Sequence, residues 1–106
     1  MQFRGGMNEL MRQAARMQRK IEQAKETLKD KEVTASAVGD KVKATVTLGR
    51  KLSRIEIDPE FLKSEGTEMA LDGACAAINA AIELADKTME AELEKITGGV
   101  KIPGVV

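Results

Sequence analysis

Histidine, tryptophan and tyrosine are absent from this chain, its two phenylalanines are Phe3 and Phe61, and Cys75 is the lone cysteine. Each absence removes a class of function. One cysteine closes no intrachain disulfide. Without histidine, neither a Cys/His zinc site nor a Ser/His/Asp or Cys/His nucleophile can be assembled. Carboxylates are plentiful, yet no pair is marked out by an apolar setting or a neighbouring nucleophile, so no enzyme, cofactor or metal is expected. With so few aromatic rings the chain also lacks platforms on which single-stranded bases could stack. No apolar run approaches the roughly 20 residues that cross a bilayer, and the opening Met1-Gln-Phe-Arg-Gly-Gly lacks the apolar core of a secretion signal. The expectation is a cytoplasmic protein with no membrane partner, in a reducing compartment that suits a solitary thiol.

The 17 basic and 17 acidic side chains cancel to a net charge of zero. They are not evenly placed. Through Arg54 there are 13 basic and 6 acidic residues, a net of +7, and from Ile55 onward 4 basic and 11 acidic, a net of −7. Such asymmetry is a sign of a polyanion-binding surface, although a basic helix beside an acidic one can also quench its charges internally.

Periodicity predicts an α+β chain in the order α-β-β-β-α. From residue 7 to 31 there is no Gly or Pro. Met7, Ala14, Ile21 and Leu28 recur every seventh residue on one seam and Leu10, Met17 and Ala24 on its neighbour, the pattern of a long amphipathic helix. Its opposite face carries Arg12, Arg16, Arg19 and Lys20. Residues 32–57 alternate in the manner of strands, punctuated by Gly39-Asp40 and Gly49-Arg50, each suited to a two-residue hairpin loop. Folding about the two loops sets Val33, Ala35 and Ala37 opposite Val46, Ala44 and Val42, and these opposite Ser53, Ile55 and Ile57. One face of a three-stranded antiparallel meander is then apolar or small throughout, as the period-2 rule demands. The other face, with Thr34, Ser36, Lys43, Thr45, Thr47, Arg54 and Glu56, is expected to be solvated, Lys43 pairing with Glu56. Asp58-Pro59 opens a helical turn over 58–63, a break follows at 64–66, and a second long helix covers 67–97 before Gly98-Gly99. Leu71, Ala74, Ile78, Ala81, Ile82, Ala85, Met89, Leu93 and Ile96 are its expected packing positions. Its alanine-rich middle suits close approach to the sheet, and Cys75 is expected to be buried there. The tail, 98–106, should be mobile or pack locally.

Strands of about seven residues span roughly 24 Å, whereas a 25-residue helix spans roughly 37 Å, so each long helix should overhang the sheet. An overhanging seam of Met7, Leu10, Met11, Ala14 and Met17 needs cover, because burying each Leu or Met contributes about 1.5–3 kcal/mol. Ile78, Ile82, Met89 and Leu93 of the second helix, or the same elements of a symmetry-related copy, are the packing candidates. A homodimer is the expected solution.

Several stretches together resemble the YbaB/EbfC family of bacterial nucleoid-associated proteins. They are Gly5-Gly6-Met7-Asn8-Glu9-Leu10-Met11-Arg12-Gln13-Ala14, Met17-Gln18, Ile55-Glu56-Ile57-Asp58-Pro59, Ala76-Ala77-Ile78-Asn79-Ala80-Ala81, Thr97-Gly98-Gly99 and Ile102-Pro103-Gly104. The resemblance covers nearly the whole chain as a single domain, 1–106. It implies a tweezer-like homodimer with projecting helices, associated with the nucleoid, that binds double-stranded DNA and affects chromosome organisation, gene expression or recombination. It supplies no binding motif, so the candidate contacts rest on charge and helix geometry: Arg12, Arg16, Arg19 and Lys20, with Arg4 on the lead-in. Lys41, Lys43, Arg50, Lys51 and Arg54, on the sheet and its loops, form a weaker second group. Glu90, Glu92 and Glu94 near the end of the second helix fit a phosphate-facing surface badly and oppose the helix dipole. The alternative is a helical clamp for a protein of the recombination machinery, for which a methionine-rich helix would be an adaptable surface.

Overall fold

A computed structural model describes residues 2–98, with side chains from residue 6 onward. The elements are α1 (Gln2–Leu28), β1 (Glu32–Ala37), β2 (Val42–Thr47), β3 (Leu52–Ile57) and α2 (Pro59–Thr97). The three strands form one antiparallel sheet in the order β1-β2-β3. Two compact units are distinguished: residues up to Thr27 with those from Glu90 onward, and Leu28–Met89. The Arg4 side chain and the tail beyond Gly98 lie outside the described residues.

α1 differs from its expected span at both ends. It begins before residue 7 and runs through Gly5-Gly6, because glycine weakens a helix by about 1 kcal/mol without ending it. It stops at Leu28 because the next carbonyls are claimed elsewhere. Gly49 N–H donates to the Lys29 carbonyl at 2.9 Å and Leu48 N–H to that of Lys31 at 2.8 Å, so the β2–β3 loop terminates the helix.

The β1–β2 register is the expected one, with Val33, Ala35 and Ala37 opposite Val46, Ala44 and Val42. Gly39 and Asp40 both have positive φ, 58° and 68°, as a type I′ turn requires. At the second hairpin the expectation of a two-residue loop is overturned. Arg50 N–H donates to the Thr47 carbonyl at 2.9 Å and Thr47 N–H to that of Lys51 at 2.8 Å, closing a three-residue loop with Arg50 at φ 69°. That shift alone would displace the whole strand, but a bulge between the Thr45 and Val46 pairings takes it back. Val46 therefore faces Leu52, not Ser53, while Ala44 faces Ile55 and Val42 faces Ile57 as expected. The bulge pairs Leu52, not a serine, with Val46 of the apolar face, and Leu52 remains half-exposed there.

The core of the larger unit joins Val42, Ala44, Val46 and Leu48 to Phe61, Ala70, Ala74, Ala77, Ala81 and Ala85. Those alanines recur at helical spacing and let α2 lie close to β2. A Cβ on Gly73 would fall 2.9 Å from Val42 Cγ2 and 3.2 Å from Val38 Cγ2. Leu71 and Cys75 lie about 100° round the helix from Ala70 and Ala74. Both are exposed, contrary to expectation. The break before the long helix is a kink at Gly66, with φ 86° and ψ 173°. Asp58 caps the first turn, its Oδ1 accepting from Glu60 N–H at 3.0 Å. Gly98, at φ 65°, ends α2 by donating to the Glu94 carbonyl at 2.8 Å.

Candidate nucleic-acid interface

At about 100° per residue, Arg12, Arg16, Arg19 and Lys20 fall within roughly one quarter of the α1 circumference, and the seam Met7, Leu10, Ala14, Met17, Ile21 lies roughly opposite. All four cations are exposed. Glu9 falls in the same quarter, three residues before Arg12 and seven before Arg16. Its carboxylate meets both, at 3.8 Å from Arg12 and 3.5 Å from Arg16. That spacing makes the contact legible along the chain, but a reading of the cations alone passes over it. One solvated carboxylate does not neutralise two guanidinium groups, and exposed pairs of this kind contribute only about 0–1 kcal/mol. Arg19 and Lys20 have no carboxylate partner among the described residues, and none of the four cations is bridged there to Glu90, Glu92 or Glu94. Glu92 instead takes Lys95, at 3.2 Å.

The sheet-side cations are differently placed. Lys41 meets Asp58 at 3.3 Å, Arg50 meets Asp86 at 3.5 Å and Arg54 meets Glu56 at 2.9 Å. Three of the five candidates thus each have a carboxylate of their own, while Lys43 and Lys51 have none among the described residues. Lys43 does stand opposite Glu56 in the register, but the expected pair does not form because Arg54 holds that carboxylate. Thr45, expected to be solvated, is buried in the central strand and shares a 2.8 Å hydroxyl contact with Thr34. The depression beside these residues, lined by Asp40, Lys41, Lys43, Glu56, Ile57 and Asp58, is open, about 230 Å³, and mixed in charge. Asp58 is held below its ordinary value of 3.8, first by the Glu60 backbone N–H and then by Lys41.

The apolar candidates divide sharply. Ile21 is 1% exposed and Leu93 is buried, both in the smaller unit, and Met17, Ile78, Ile82 and Met89 are half-buried. Met7, Leu10 and Met11 are 66%, 66% and 69% exposed, and Ala14 is exposed as well. The N-terminal half of the seam is therefore without cover. Among the described residues no cluster of metal-ligating side chains occurs, and no helix is long and apolar enough to cross a membrane.

Residues 3–100 match the model of the YbaB/EbfC DNA-binding family. A nucleoid-associated protein of Acetivibrio thermocellus is 42% identical over 97% of this chain and 92% of its own length. One from Clostridium acetobutylicum is 36% identical over 95% and 90%. The fold is shared with the crystal structure of an uncharacterized protein from Helicobacter pylori, at a TM-score of 0.64 and 19% identity, over 84% of this chain and 94% of that one.

Proposed function

The chain belongs to the YbaB/EbfC DNA-binding family, and from that premise we propose that it acts in the nucleoid as a homodimer whose α1 cations bind the phosphates of duplex DNA with low sequence specificity. One observation supports this most directly: Arg12, Arg16, Arg19 and Lys20 share one exposed stripe with a single carboxylate, opposite the apolar seam. Contacts of this kind position a protein on the duplex without reading bases. The uncovered Met7, Leu10 and Met11 support the second copy, since that much exposed apolar surface on a helix favours association. Effects on chromosome organisation, gene expression or recombination would follow from occupancy of the duplex.

A mobility-shift titration against salt tests the reading. Three or four phosphate contacts per protomer give a slope of log K against log salt of about −5 to −7, at roughly 0.9 per contact. Replacing Arg12, Arg16 and Arg19 with Ala flattens that slope by about two for each substitution, because a homodimer loses two contacts at once. Binding that ignores salt would falsify the reading. The sheet group is the weaker surface, and reversing Arg50 and Lys51 should leave affinity unchanged. The same bare methionines favour a second reading, a helical clamp for a protein of the recombination machinery. Such a clamp keeps its partner in a pull-down after nuclease treatment, whereas a partner bridged by DNA is released.

A further inference from the structure

The acidic half of the chain has no part in the function proposed above. From Ile55 onward it carries a net of −7, and among the described residues none of that charge bridges to Arg12, Arg16, Arg19 or Lys20. Past the kink at Gly66, α2 is continuous to Thr97. Along it Glu83, Asp86, Glu90 and Glu94 follow at intervals of three, four and four residues. At about 100° per residue they fall within roughly a quarter of the helix circumference. All four are exposed. Glu83 shares its charge with Lys87 at 3.3 Å and Asp86 with Arg50 at 3.5 Å, exposed pairs that solvent keeps weak. Glu90 and Glu94 have no cationic partner among the described residues.

This row matches the cation row of α1 in one orientation. Read from its C-terminal end, α1 places Arg19, Arg16 and Arg12 at intervals of three and four. Laid antiparallel, it sets Arg19 against Glu83, Arg16 against Asp86 and Arg12 against Glu90, three opposite charges in register. One further step at each end brings Gln23 to Asn79 and Asn8 to Glu94, and a side-chain amide can donate to either acceptor. No parallel register pairs all three arginines with acids of this row. Within one chain these groups do not meet, so the match is between molecules.

We infer that, without DNA, the carboxylate row of α2 occupies the cation row of α1 on another molecule, and that duplex DNA displaces it. The inference rests on the reading of α1 as a phosphate-binding surface and supplies its regulation. Carboxylates then stand where phosphates bind, so self-association and DNA binding exclude each other. The contact joins molecules beyond the pair of chains proposed above, and salt governs it. Charges screen one another over roughly 30 Å at 0.01 M ionic strength but only about 8 Å at 0.15 M. The assembly therefore forms in dilute salt and disperses as salt rises.

Sedimentation of the full chain, in dilute salt and in about 0.3 M salt, tests this. In dilute salt wild type should be heavier than its high-salt form, and stoichiometric duplex should disperse the extra mass. Glu83→Gln, Asp86→Asn and Glu90→Gln together should weaken the association about tenfold, the combined effect of three exposed pairs. Glu60→Gln, Glu65→Gln and Glu68→Gln together change the net charge equally and should leave it intact. Carbodiimide couples an amine to a carboxylate in contact with it. In a mixture of isotope-labelled and unlabelled chains it should join Lys20 of one chain to Glu83 of another, and duplex should prevent the coupling. No added mass in dilute salt, or equal loss in both triple variants, overturns the contact and leaves DNA binding standing. Assembly that depends on the row but does not couple Lys20 to Glu83 overturns the antiparallel register. Wild type that assembles yet binds no duplex in dilute salt overturns the phosphate reading of α1, and the displacement with it.

Discussion

Two glycines of α2 are required for different physical reasons. Gly73 is needed for space. Val42 has no exposure and would lie 2.9 Å from an added methyl group, and a valine, stiff at χ1, cannot retreat. Overpacking costs about 1–3 kcal/mol, against a gain of about 1 kcal/mol in helix propensity. Gly73→Ala should therefore lower stability by about 1 kcal/mol in urea unfolding. Gly66 is needed for its angle. Nothing lies within 4 Å of its missing Cβ, but its φ is 86° and its ψ 173°, a combination open only to glycine. Gly66→Ala should cost about 1–3 kcal/mol with no steric contact to blame. Asp58 adds a pH dependence. Its folded-state pKa lies below 3.8, so its contribution to stability is complete above that value and is lost as pH falls through the folded-state pKa. The advantage of wild type over Asp58→Asn in thermal unfolding should accordingly be constant near neutrality and vanish in acid. Cys75, by contrast, is a residue whose surroundings cannot be read from its neighbours in the chain. Alanines on both sides suggest burial, but the buried stripe passes through Ala74 and Ala77 and leaves the thiol outside.

At the scale of an element, α1 carries its cations on one side and its packing on the other. The division follows from 3.6 residues per turn, which is why both stripes are legible in the order of residues alone. Glu9 is the element's own brake on its charge. Glu9→Gln should leave the fold unchanged by circular dichroism and tighten duplex binding about threefold, a change of roughly 0.7 kcal/mol within the range of an exposed ion pair. An unchanged affinity would show that Arg12 and Arg16 do not contact phosphate. In the sheet, β1 and β2 are readable because their turn has the two-residue form that Gly39-Asp40 suits. β3 is readable only in its second half. Alternation says that Leu52 and Ser53 point to opposite sides, but not which side is inward, and the longer loop with its bulge chose leucine.

For the molecule as a whole, association is the open degree of freedom that the exposed apolar groups on α1 and β3 imply. A homodimer held by such surfaces has a thermal midpoint that rises with protein concentration, as mass action requires. Scanning calorimetry over a roughly hundredfold range of concentration should show that rise, and a constant midpoint would contradict it. Added duplex DNA should raise the midpoint further at low salt and lose its effect as salt increases.

The order of elements, the two stripes of α1, the β1–β2 register, the Asp58 cap and the family were contained in the amino-acid sequence, because each depends on spacing over a few residues or on a pattern along the chain. Only the folded chain decided where α1 stops, that Leu52 replaces Ser53 opposite Val46, that Leu71 and Cys75 face outward, and that alternate residues of β1 are half-buried while β3 is exposed up to Ile57. These outcomes depend on which face meets which, and on carbonyls claimed by residues about twenty positions away. Periodicity states that a face exists; burial is a property of whatever the face meets.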